Sequence, residues 1–399
     1  MLEKKEISEN SSSALTPNVK RLGLVSFLAD ISSEMLYPIT PIFLTTVLGA
    51  SVASVGVIEG FAEAIASLLK TYSGFWSDRI RRRKPFIWGG YLLAAVAKPL
   101  IGVSQVWGQV LFARGLDRTG KGLRTAPRDA LLAESVPPHL RGAAFGWHRM
   151  MDTLGAAIGP LLAIVYLKYS SNLRFIYFLA LIPGLLAVIA ALRLKEERRE
   201  QVAPSYHQTW ASFFSLPKEF KHYLFSWTVF SLANSSDAFL LLRMQQAGIP
   251  LTETILLYCF YNLVYALASP YLGGLSDRVG RKRVLLFGLV IFALVYTGFA
   301  FATHESQFWV LFGVYGLYMA ATDGVGKAFA IDLLNKDMKA TAVGYLGTVT
   351  GISTLIASSV AGLLWDHYGS AATFAYGAVG AVLTVMTLIF LKVPRKTLL

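Results

Sequence analysis

The sequence predicts an all-α membrane protein with twelve transmembrane helices in two pseudo-symmetric six-helix bundles. Three observations predict it. The 399 residues are 54% hydrophobic and only 15% charged, with a mean hydropathy of +0.52, whereas soluble domains carry about 25% charge. Apolar windows of roughly 20 residues, long enough for a hydrocarbon core of about 30 Å, recur twelve times. The two halves of the chain also resemble each other at an offset of about 200 residues.

The windows fall at 20–47, 52–77, 84–104, 107–133, 141–168 and 172–193, then at 220–247, 252–275, 283–303, 306–333, 340–366 and 370–393. The longest polar segment, from Lys195 to about Pro217, separates the sixes. The expected organisation is therefore a tail at 1–19, a bundle at 20–193, a linker at 194–219, a second bundle at 220–393 and a tail at 394–399. FLADISSEM in span one parallels SLANSSDAF in span seven, and GFWSDRIRRRK after span two parallels GGLSDRVGRKR after span eight. Glu134 and Asp332 match more faintly. A duplicated unit of this kind places a substrate site between the halves, near the membrane midplane.

The net charge of +13 is concentrated in the even connections. Arg79, Arg81, Arg82, Arg83 and Lys84 follow span two, Lys195, Arg198 and Arg199 follow span six, and Arg278, Arg281, Lys282 and Arg283 follow span eight. The odd connections are nearly bare, as in LGASVAS and GVSQVWGQ. This asymmetry orients a plasma-membrane protein with both termini cytoplasmic and gives no nucleic-acid footprint. The single cysteine, Cys259, cannot form an intramolecular disulfide. The polar N-terminal stretch lacks the apolar core of a signal peptide and reads as a disordered tail.

Span four is the informative one. At 100° per residue, Arg114, Lys121 and Arg128 fall within about 40° of one another, and Asp117 and Arg124 widen the stripe to about 80°. Ala113, Leu116, Leu123 and Ala126 lie opposite. A charge facing lipid costs at least about 3 kcal/mol near the bilayer centre, so this stripe must face a polar cavity or partner charges. Arg114→Ala or Lys121→Ala is accordingly expected to abolish transport and leave expression largely intact. Spans six, nine and twelve carry no central ionisable residue and span three only Lys98, so these four are expected to face lipid.

Deep acids supply candidate proton carriers: Asp30 and Glu34 one turn apart in span one, Glu59 and Glu63 in span two, Asp117 in span four and Asp152 in span five. A carboxyl group at such depth can exchange a proton as its surroundings alternate between dry and wet. Candidate substrate contacts are Arg114, Lys121, His148 and Arg149 in the first half, and Asn234, Asp237, Tyr261, Asp323 and Lys327 in the second. Tyr37, Tyr258, Tyr265, Tyr315 and Tyr318 add aromatic walls with polar tips.

Gly74-Phe-Trp-Ser-Asp78-Arg79 and Gly273-Gly-Leu-Ser-Asp277-Arg278 resemble the loop motif repeated in the two halves of the major facilitator superfamily. The resemblance extends from about Lys20 to Lys392, with Arg81 where the pattern has glycine. It implies a secondary carrier that alternates access by rocking two six-helix halves. It also implies a gating role for Gly74, Asp78, Arg79, Asp277 and Arg278, the two carboxylates bonding the N-terminus of a neighbouring helix to close the cytoplasmic side in the outward-open state. Gly155-Ala-Ala-Ile-Gly159-Pro160 resembles the Gly-Pro motif of exporters in that superfamily.

The resulting expectation is proton-coupled export of an amphipathic or anionic small molecule by a monomer, with no cofactor, no resident metal and no enzymatic activity. No phosphate-binding loop GxxxxGK[ST] is present to power transport by nucleotide hydrolysis. Two alternatives remain open: a metal-ion exporter using Asp30, Glu34, Glu63 and His148, and a symporter for organic-anion uptake.

Overall fold

The computed structural model describes residues 16–80, 82–137, 141–196, 216–334 and 339–391, and every regular element in them is helical. The expected tails and linker lie largely outside the described residues, as does Arg81. Spans two to five are continuous helices, Val52–Ile80, Lys84–Val103, Trp107–Glu134 and Arg141–Tyr169. So are spans eight to twelve, Leu251–Val279, Arg281–Phe301, Glu305–Asp332, Lys339–Tyr368 and Ser370–Ile389.

Three spans are interrupted, where the sequence suggests unbroken runs. Span one is helical over Pro17–Glu34 and resumes at Thr40–Ile42 and Phe43–Val47. Pro38 and Pro41 cannot donate to the helix and disfavour helical geometry in the residues before them. Span seven breaks between Lys218–Ala233 and Ala238–Gln246 at Asn234-Ser-Ser-Asp237, residue types whose side chains compete for backbone groups. The Ser236 hydroxyl does so here, accepting from the Ala238 N–H at 3.3 Å. Span six divides into Leu173–Leu179 and Leu181–Leu192 ahead of Pro183, and Ser32 Oγ donates to the Ala180 carbonyl at the break. Among the described residues nine helices are long and apolar enough to cross a membrane. Spans one, four and seven fall outside that set because of their breaks and charges.

The packing repeats the sequence symmetry. In the first half span one packs on five and six, span two on four, and span three on four and six. In the second half span seven packs on eleven and twelve, span eight on ten, and span nine on ten and twelve. Between the halves span two lies along span eleven, and span five meets span eight. Matched ion pairs close each copy: Arg83 with Glu134 at 2.6 Å, and Arg281 with Asp332. Gly280 takes φ 98° in the second loop motif, a conformation that requires glycine.

Glycine sets two close approaches. Spans three and four touch backbone to backbone, with a Cβ on Gly120 falling 2.3 Å from the Gly90 carbonyl oxygen. Spans one and five meet the same way, with a Cβ on Gly155 falling 2.5 Å from the Phe27 carbonyl oxygen and 3.0 Å from Asp30 Cβ. The glycines of the Gly-Pro motif thus draw span five onto span one beside Asp30. That approach lets two distant acids meet.

Candidate functional site

The charged stripe of span four lines a cavity of about 60 Å³ together with spans one and three, a volume that holds a few water molecules. Its cations are Lys98, Arg114, Arg118, Lys121 and Arg124, and its acids Asp30, Glu34 and Asp117. Lys98 corrects the expectation that span three only faces lipid. It is 4% exposed and turned inward, because the Gly90–Gly120 contact brings span three against the polar side of span four.

The acids are mostly committed. Glu59 binds Arg114 through both carboxylate oxygens, at 2.6 and 2.8 Å. Asp117 is shared by Arg114 at 3.5 Å and Arg118 at 3.9 Å. Glu34 accepts from the Tyr258 hydroxyl at 2.7 Å, a contact between the halves. Asp152 accepts from Ser26, one turn before Asp30, and Gly155 brings its helix against Asp30 Cβ, so the two carboxyls are neighbours. Two carboxylates placed so repel each other when both are ionised. This pairing is invisible in a single sequence, where 30 and 152 lie in different spans. Glu63 stands apart from the cavity lining and acts on Lys121 by charge.

Arg149 joins the acid pair to the second half. It lies 3.6 Å from Asp152 and acts on Tyr265 by charge. Tyr265 in turn donates to Asp323 at 2.9 Å, which pairs with Lys327 at 2.7 Å. In the break of span seven Asp237 accepts from Tyr315 at 2.7 Å and Tyr261 at 2.9 Å, and Asn234 donates to Tyr318 at 3.3 Å. Tyr37, Tyr258, Tyr261, Tyr315 and Tyr318 form a continuous ladder with ring centroids 5.2–5.4 Å apart. His148 is buried away from the cavity lining, its Nε2 without a partner. Among the described residues no three His, Cys, Asp or Glu side chains converge as a metal site would require. The set Asp30, Glu34, Glu63 and His148 is therefore dispersed.

The family model described as Major Facilitator Superfamily matches residues 22–244 and 223–398. The chain belongs to the major facilitator superfamily. It is 40% identical over 389 residues to an uncharacterized MFS-type transporter of Methanocaldococcus jannaschii, covering 94% of this chain and 95% of that one. It is 23% identical over 364 residues to a fosmidomycin resistance protein of Escherichia coli, with 87% and 86% covered. The crystal structure of the nucleoside transporter NupG superposes with a TM-score of 0.75 at 13% identity, over 94% of this chain and 98% of that one. This member of the superfamily is thus an integral membrane transporter with the twelve-helix fold.

Among the described side chains of the loop motifs in this superfamily member, no hydrogen bond to a helix end across the interface is found. Asp277 is 63% exposed and held at 3.3 Å by Arg281 of its own half, Arg79 and Arg278 are exposed, and Gly74 lies against Ala126 of span four. The side chain of Asp78 lies outside the described residues. A carboxylate caps a helix at the opposite end instead, where Asp366 of span eleven accepts from the Val52 and Ala53 N–H groups at 3.1 and 2.9 Å. Sequence reading passes over Asp366 because a lone acid at the end of a span looks like solvated surface. Such a contact contributes about 0.3–1 kcal/mol. Asp366→Ala is therefore expected to shift the population roughly two- to fivefold toward the state open at that end, read as faster modification of a cysteine placed at Ser51.

Proposed function

We propose that the chain exports an anionic, amphipathic small molecule in exchange for protons, by alternating access across the plasma membrane with both termini cytoplasmic. The units are residues 20–193 and 220–393, linked by 194–219, and the protein works as a monomer. The observation that carries the reading is the position of Asp30, beside Asp152 at the contact of spans one and five and in a cavity whose lining holds five cations against three carboxyls. The cations supply an attraction for a negative headgroup. Tyr37 of span one, which lines the cavity and begins the tyrosine ladder, supplies a face for an apolar or aromatic body.

In this reading the shared proton of the acid pair is the coupling element. While it is bound, the pair carries one negative charge, and Arg149 acts on both Asp152 and Tyr265. Loss of the proton leaves two adjacent carboxylates, which draw Arg149 toward the first half and loosen its link to Tyr265 and Asp323. The seam between spans five and eight therefore responds to protonation. The Asp366 cap closes the extracytoplasmic end meanwhile, consistent with a state open toward the cytoplasm. Export is favoured over organic-anion uptake because a relative over most of the chain is named for drug resistance. The dispersal of its four ligands weighs against a metal cargo.

The test is reconstitution into proteoliposomes with an imposed pH gradient, using substrates selected by a thermal-shift screen of organic anions and divalent metals. Proton-driven movement of an organic anion is the expected result. Stabilisation by metals alone, or flux indifferent to the pH gradient, would overturn the reading.

A further inference from the structure

We infer that the cavity is a receptor for a compact multivalent oxyanion, a group with two or more negative charges such as a phosphate, a phosphonate or a dicarboxylate, held by Lys98, Lys121 and Arg124 with Arg118 in support. This rests on the proposed transport of an anion and specifies the charge of the cargo.

The charge assignments of the lining decide it. Arg114 is removed from the candidates because Glu59 saturates it, through Nε at 3.2 Å and Nη2 at 2.6 and 2.8 Å. Asp117 is the nearest acid for Arg118, but at 3.9 Å and shared with Arg114. Glu34 accepts from the neutral Tyr258 hydroxyl and Asp30 lies beside Asp152, so neither forms an ion pair with a cation of the lining. Among the described residues this leaves Lys98, Lys121 and Arg124 without an ion pair, on one cavity wall.

Their surroundings mark the cluster as a binding feature. Arg124 is 7% exposed and its plane is fixed over the Tyr91 ring at 4.2 Å, yet its Nη1 has no hydrogen-bond partner, and Arg118 Nε has none either. Buried guanidinium donors are ordinarily satisfied. A planar donor held over Tyr91 beside two ammonium groups matches an oxyanion with several acceptor oxygens. The lining's five cations exceed its three carboxyls by two charges, so one negative charge leaves half of the excess unmatched and a dianion balances it.

The probe is inorganic pyrophosphate at millimolar concentration, titrated into the purified full chain and compared with nitrate at equal ionic strength. Pyrophosphate is expected to raise the unfolding temperature and to bind at least tenfold more tightly than nitrate. Lys98→Met and Lys121→Met, each removing an unpaired charge and so retaining the fold, are expected to weaken pyrophosphate binding about tenfold each. Equal responses to the two anions, or undiminished binding in both variants, would overturn the inference. The outcome separates from the transport reading: a proton-coupled carrier of monoanions fails this test alone, and a pyrophosphate binder with pH-indifferent flux fails only the other.

Discussion

Arg114→Ala is expected to cost about 3–5 kcal/mol of stability, the range observed when one member of a buried ion pair is removed. The guanidinium is 7% exposed and Glu59 6%, and Asp117 relies on the same group. Alanine would strand Glu59 entirely and leave Asp117 to the distant Arg118 alone. The measurement is thermal unfolding of purified variants alongside membrane yield. The double variant Arg114→Met with Glu59→Met removes the pair without stranding a charge and should recover most of the loss. Recovery equal to that of the single variant would show that the pair is not a closed unit. Expression of Arg114→Ala should fall for this reason, which revises the expectation from sequence. Lys121→Ala, which breaks no ion pair, should still be made at near wild-type levels.

Asp30→Asn is expected to remove the pH dependence of flux. A proton transferred down a gradient of one pH unit supplies about 1.4 kcal/mol, a tenfold accumulation. The asparagine variant, which cannot cycle a proton, should accumulate none above equilibrium. Asp152→Asn should behave alike, since in the proposed mechanism the two carboxyls share the cycled proton. Glu59→Gln should not, because Glu59 is bound to Arg114 rather than to a second acid. An unchanged pH profile in both aspartate variants would remove the pair from the coupling path.

Much of the fold was legible because the bilayer imposes a simple rule on sequence. Length and hydropathy located the spans, and the paired motifs exposed the duplication that recurs in the packing of one on five and seven on eleven. The stripe of span four was readable because helical periodicity and the cost of charge in lipid act together. What escaped was whatever depends on which helices meet. Span three reads as lipid-facing because Lys98 is its single central charge, and only the Gly90–Gly120 crossing turns that lysine inward. Asp30 and Asp152 were recognised singly, but their contact follows from Gly155 packing on span one. Arg114 was recognised as interior, yet its saturation by Glu59, which separates an anchor from a binding residue, requires coordinates.

The orientation of the span-four stripe is tested most directly by cysteine accessibility. Cys259 is the single native cysteine, so a Cys259→Ala background carrying Lys121→Cys reports one site. The account predicts modification by a membrane-impermeant, water-soluble maleimide, slowed at least severalfold when a transported anion is bound. Modification only by a lipid-soluble reagent, with no protection by any anion, would place the stripe against acyl chains and contradict the account.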